Sequence, residues 1–167
     1  MKNPAPRKFT RWHIALLKFL KWLITVSNTW LIRVSRGRLG NSFLGVPVLL
    51  LTTIGRKSGG LRTLPIYFMA DGERVVLVAS NAGTASDPAW LLNIRANPRV
   101  SIKIGEKTRS MVAHEALSAE KATFWPRLTR LFPKWQMMAD RSKREFPVVV
   151  LEPDDQAQAD ALQVEIQ

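Results

Sequence analysis

Hydrophobic and polar positions change their period along the chain. From Thr10 to Arg38 the spacing is helical. Leu16, Phe19, Leu20, Leu23, Ile24, Val26, Trp30 and Val34 share one face, and Arg11, Lys18, Lys21, Thr25, Asn28, Thr29, Arg33 and Arg36 share the other. From Pro47 onward the apolar runs are short, β-branched and separated by turn residues. They predict strands over Pro47–Ile54, Arg62–Ala70, Arg74–Ser80, Val100–Ile104, Lys107–Ala116 and Phe146–Leu151. Asp71-Gly72 and Gly105-Glu106 supply hairpin turns. Pro65, near the start of its strand, predicts an edge or a bulge there. Helical spacing returns over Pro88–Ala96 with Asp87 as its cap, over Ser118–Leu131 with Ser118 as its cap, and from Pro133 to about Glu145. Pro126 should kink or divide the middle helix.

About six mostly antiparallel strands, with helices inserted late and no strand–helix–strand rhythm, predict a small closed or half-closed barrel of the mainly β, α+β class. The expected division is a basic amphipathic helix over 1–40, a barrel domain over 41–153 and a polar, acidic tail over 154–167. A chain of 167 residues, 46% hydrophobic, suits one packed domain.

Composition narrows the chemistry. There is no cysteine, hence no disulfide, thiol nucleophile or thiolate metal site. His13 and His114 stand about a hundred positions apart, which argues against a zinc or iron centre, and no metal is expected. The net charge is +12, and its placement says more than its size. Residues 1–70 hold 12 Lys and Arg and no acid, whereas the two signs cancel in residues 71–167. Such a field attracts phosphates or other anions. The longest uncharged run of the first helix, Trp22–Ile32, has 11 residues, against about 20 for a membrane span. Lys18 and Lys21 interrupt any signal-peptide core. A basic amphipathic helix carrying Trp12, Trp22 and Trp30 suits an anionic membrane surface, or packing on the domain, since the pattern serves both. The expected location is cytoplasmic, peripheral on the inner face of the cell membrane under the first reading. No helix-turn-helix, RNA-binding or zinc signature accompanies the charge, so a nucleic-acid partner is not expected.

The candidate chemistry centres on "LLLTTIGRKSGGLRTLP", residues 49–65. Gly55, Gly59 and Gly60 permit close backbone approach and positive φ. Arg56, Lys57 and Arg62 add three charges, and Ser58 and Thr63 add hydroxyls. Such a turn can aim amides and cations at one phosphate. By residue type alone it is more often a solvated hairpin. It is neither a Walker loop nor a G-x-G-x-x-G fingerprint.

Three stretches, "TTIGRKSGGLRTLPIYF", "VLVASNAGTASDPAWLLNIRANPRVSIKIG" and "RLFPKWQMMADRSKREFPVVVLEP", resemble the deazaflavin-dependent nitroreductase family, also called deazaflavin-dependent quinone reductases. The resemblance covers about residues 43–153. It implies a split β-barrel and coenzyme F420, an 8-hydroxy-5-deazaflavin hydride carrier with a phosphodiester and an acidic polyglutamate tail. It also implies that Arg56, Lys57, Ser58 and Arg62 hold the phosphate and tail. Thr63, Pro65 and Tyr67 would line the strand beside the ring, Ala79, Ser80 and Asn81 would contact it, and Ala89, Trp90 and Asn93 would close the pocket. Each has a plainer alternative: Trp90 as core, Asn93 as a solvated helix residue, Tyr67 as an ordinary strand residue. Family members often carry Lys at the position of Asn81, so a charge is lost there. Phe132, Trp135 and Met138 stand where a nitro-reducing member has pocket tyrosines, so aromatic bulk remains but phenol donors do not. A quinone or enone acceptor is therefore expected over a nitro-drug, with Tyr67, Ser80 or bulk water as the proton donor and no choice among them from the sequence. The alternatives are an FMN- or heme-binding barrel, since the basic turn also suits the FMN phosphate, and a non-catalytic, membrane-associated relative.

Overall fold

The computed structural model describes residues 42, 43 and 45–156. The expected N-terminal helix and most of the acidic tail lie outside the described residues. Within them, a two-residue strand β1 (Ser42–Phe43) is followed by β2 (Val46–Ile54), β3 (Leu61–Asp71) and β4 (Arg74–Val78). A short 3-10 turn (Asn81–Gly83) leads to helix α1 (Ala89–Ala96), then to β5 (Arg99–Ile104) and β6 (Lys107–Glu115). Helices α2 (Ser118–Leu131) and α3 (Lys134–Ser142) precede β7 (Val148–Pro153). The order β2-β3-β4-β7-β6-β5 returns to β2 through a β2–β5 pairing, so six antiparallel strands close a barrel. This is the expected barrel.

The strand alternation explains the core. Leu49 and Leu51 of β2 point inward with Leu77, Ile102, Met111, Val149 and Leu151, and α1 adds Trp90, Leu91 and Ile94. β4 and β7 bury their outer face as well. Val76, Val78, Val148 and Val150 pack against Phe124, Leu128, Trp135 and Phe146. That is why these two strands read as unbroken apolar runs.

β3 is unevenly paired. Leu61–Tyr67 pairs with β2, and Phe68–Asp71 pairs with β4. Pro65 thus falls in the half of β3 that β4 does not reach, which accords with its expected edge position. Both hairpin turns form as expected, with Asp71 opposite Arg74 across Gly72 and Ile104 opposite Lys107 across Gly105.

Several boundaries differ from the sequence reading. Pro88, not Asp87, caps α1, and no side chain bonds the helix end. The Asp87 carboxylate is engaged by Arg144 and Arg95, and two guanidiniums outcompete a backbone amide for it. Ser118 is the first residue of α2, with Leu117 at the cap. α2 runs on through Pro126, because buried Phe124 and Leu128 hold it to the barrel on either side of the missing amide. α3 ends at Ser142, where Lys143 turns left-handed, and β7 begins at Val148 rather than Phe146.

Candidate functional site

A cleft of about 910 Å³ opens where the barrel and the α2–α3 layer meet. β3 supplies Leu64, Pro65, Ile66 and Tyr67 from its half without a β4 partner, and α1 supplies Pro88, Ala89 and Trp90 from its start. The turn after β4 supplies Ser80, Asn81 and Ala82. α3 and the residue preceding Pro133 supply Phe132, Lys134, Trp135, Met137, Met138 and Arg141.

The aromatic side chains form one connected wall. The Tyr67 and Phe132 rings lie 5.1 Å apart, and Phe132 meets Trp135 edge-on at 5.3 Å. Burial pushes the Tyr67 hydroxyl above its ordinary pKa. Trp90 packs in the barrel core at 6% exposure and also lines the cleft. Among the described residues, no Asp or Glu lines this cleft.

The cationic turn lies at the end of the β2–β3 hairpin. Gly55 N–H bonds to the Gly60 carbonyl at 2.8 Å, and the Gly59 amide returns to the Gly55 carbonyl at 2.8 Å. A Cβ at Gly55 would sit 2.9 Å from Ser58 Oγ and 3.1 Å from the Gly60 oxygen, so only glycine closes this turn without displacement. Arg56, Lys57, Ser58 and Arg62 are exposed, with Arg62 Nη2 donating to Ser58 Oγ at 3.2 Å. None of the four lines the cleft itself. Arg62 precedes the cleft residue Leu64 by two positions, about 7 Å along a strand.

Three expected contacts fall elsewhere. Ala79 is fully buried in the barrel core rather than at the cleft wall. Thr63 bonds Thr52 Oγ1 at 2.9 Å, beside the cleft. Asn93 is neither solvated nor on the wall. It is 6% exposed, its Oδ1 accepts from the Arg56 amide at 3.1 Å, and its Nδ2 donates to Thr53 Oγ1 at 3.1 Å. It fastens the cationic turn to α1. Asn81 keeps a place on the wall, but its side chain points along its own loop, donating to the Ser86 carbonyl at 3.0 Å. Its φ of 45° is left-handed, which asparagine tolerates better than most residues. Lys134, Met137 and Arg141 were missed, although their spacing with Met138 on a predicted helix marked one face.

The profile of the F420H(2)-dependent quinone reductase family matches residues 25–153. The chain belongs to this family. A Mycobacterium tuberculosis protein provisionally named F420H(2)-dependent quinone reductase Rv3178 is 37% identical over 70% of this chain and 98% of its own. F420H(2)-dependent quinone reductase Rv1261c of the same species is 33% identical over 71% of this chain and 83% of its own. Among solved structures, an F420-H2 dependent reductase, FDR-A, aligns with a TM-score of 0.60 at 31% identity, over 64% of this chain and 94% of its own. A domain-swapped dimer aligns with a TM-score of 0.62 at 29% identity, over 76% and 96%.

The family is one of oxidoreductases, and its cofactor is coenzyme F420. The donor set of this reductase fits that group. An acid-free cleft with aromatic walls has the chemistry suited to a flat ring, and an exposed turn with three cations has that suited to a phosphate and acidic tail. Among the described residues, no helix is long and apolar enough to cross a membrane, and no group of His, Asp or Glu is placed to hold a metal.

Proposed function

We propose that this chain reduces a flat, electron-poor acceptor, a quinone or an enone, with F420H2 held between the cationic turn and the cleft. The observation that carries the reading is the continuity of the two along β3: Arg62 at the turn, then Leu64 to Tyr67 on the cleft wall. When bound, the reduced deazaflavin supplies the hydride. Arg56, Lys57, Ser58 and Arg62 bind the phosphate and acidic tail, with Asn93 fixing the backbone of their turn. Pro65, Tyr67, Ser80, Ala89 and Trp90 enclose the ring. Phe132, Trp135 and Met138 exclude water from the acceptor and hold it flat. The reduced acceptor also takes a proton. Tyr67 and Ser80 line the cleft and carry the hydroxyls proposed to donate it.

A fluorescence titration tests the binding half of this reading. F420 should bind more tightly than FMN, and equal or reversed affinities contradict it. The basic, tryptophan-bearing segment over residues 10–36 supports a further part of the proposal, peripheral attachment to anionic membrane, where lipid-soluble quinones reside. Full-length protein should sediment with anionic vesicles at low salt and be released at high salt. Equal behaviour with neutral vesicles contradicts this.

A further inference from the structure

Arg144 lies between α3 and β7 and does not line the cleft. Its side chain is 16% exposed, and its guanidinium reaches four groups of one distant segment. Nη1 donates to the carbonyls of Thr84 at 2.8 Å and Ser86 at 2.9 Å. Nη2 donates to the Ala79 carbonyl at 3.2 Å and pairs with the Asp87 carboxylate. Asp87 is held in turn by Arg95 at 2.7 Å, and Arg95 is bidentate to Glu115 of β6 at 2.6 and 2.8 Å. The clamp thus joins the end of α3, the 79–87 segment, α1 and β6.

The clamped segment is the one that forms a wall of the cleft. Asn81, Ala82 and Gly83 have φ of 45°, 54° and 76°, three left-handed residues in succession. Gly83 takes this conformation freely and Asn81 tolerates it, but Ala82 carries a Cβ and no polar group to offset the crowding. The local bonds run from Gly83 N–H to the Ser80 carbonyl at 2.8 Å, from Thr84 N–H and Thr84 Oγ1 to the Asn81 carbonyl at 3.2 and 2.9 Å, and from the Asn81 side chain to Ser86. The surroundings must hold such a turn in place, and Arg144 bonds carbonyls on both sides of it.

We propose that Arg144 is a positioning residue: by tying Ala79, Thr84, Ser86 and Asp87 together it presets the left-handed Asn81–Gly83 turn, and so sets ligand affinity without touching the ligand. The part concerning affinity rests on the proposed F420H2-dependent reduction, whereas the presetting of the turn does not. A lysine at this position keeps the charge for Asp87. It lacks the planar fork that serves carbonyls on both sides of the turn.

The test uses full-length Arg144→Lys and Arg144→Met proteins. Amide exchange is read first, without cofactor. Both variants should speed exchange across residues 79–87 about tenfold, with β2 and β5 unchanged. Titration with F420 should then show weakening of about tenfold in each, and turnover of menadione should show KM rising with kcat within about threefold. Ala82→Gly, which removes the crowding, should recover severalfold of the affinity lost in the Arg144→Lys background. The proposal is overturned if Arg144→Lys leaves exchange over 79–87 as in the wild type. It is also overturned if exchange rises evenly over the barrel while affinity stays within twofold. Failure of the wild type to bind F420 would sink the functional reading, and the exchange data would still judge the clamp.

Discussion

The side-chain oxygen of Asn93 accepts a hydrogen bond from the backbone amide of Arg56 at 3.1 Å. The same side chain donates to Thr53, so a buried amide on α1 fixes the start of the exposed cationic turn. Replacing Asn93 by Leu would leave the Arg56 amide and the Thr53 hydroxyl without these partners. The cost should be about 1–3 kcal/mol, read as a lower melting temperature. F420 affinity, measured where the variant is folded, should fall as well, because Arg56 loses its anchor. Unchanged affinity would show that the turn needs no bracket.

Arg56 and Lys57 are exposed, so water and salt screen them and each contributes about 1 kcal/mol rather than the value of a buried pair. The double variant Arg56→Ala, Lys57→Ala should bind F420 roughly ten- to thirtyfold more weakly at low salt. The gap should narrow as salt is added. A salt-independent loss would mean that the substitutions damaged the fold instead.

Met138 packs beside Gly83, where a Cβ on the glycine would meet the Met138 side chain at 3.4 Å, and Met138 lines the cleft. Wild-type protein should turn over quinones faster than nitroimidazoles, because the wall offers bulk without a phenol at this point. Met138→Tyr should raise the ratio of nitroimidazole to quinone kcat/KM. Nitroimidazoles as the better wild-type substrates would contradict the argument.

Asp71 joins the β3–β4 hairpin to α2. A hydrogen bond from Arg127 and a second from Arg74 hold its carboxyl below the usual carboxylate range. A pKa lowered by folding adds stability above the unfolded value, near 4, and that stability is lost as pH falls through the lower folded value. Asp71→Asn should therefore lower the melting temperature at pH 7, by an amount equivalent to about 1 kcal/mol since the pair is partly exposed. The two proteins should converge as pH falls below about 4. Parallel curves down to acid pH would contradict the assignment.

The local signals in the chain were readable. Asp71-Gly72 and Gly105-Glu106 each set a turn within four residues, so both hairpins and most strand boundaries followed from neighbouring positions. Interactions between distant positions were not readable. Asp87 looks like a cap beside Pro88, and nothing nearby shows that Arg144, 57 positions on, takes its carboxylate. Asn93 reads as a cofactor contact or a solvated residue until the fold brings Thr53 against it, 40 positions away. The glycine turn and its cations stood out as a motif. Lys134 and Arg141 became part of the cleft only once α3 had packed on the barrel with that face toward β3.

The central claim is that this protein couples F420H2 oxidation to reduction of a flat acceptor. The most direct test is an anaerobic mix of full-length protein, F420H2 and menadione, followed by the returning absorbance of oxidised F420. The account predicts protein-dependent oxidation that stops when the limiting reactant is consumed, at one F420H2 per quinone, and that slows in the Arg56→Ala, Lys57→Ala variant. Oxidation no faster with the protein than without it, over a range of quinones and enones and with F420 shown to be bound, would contradict it.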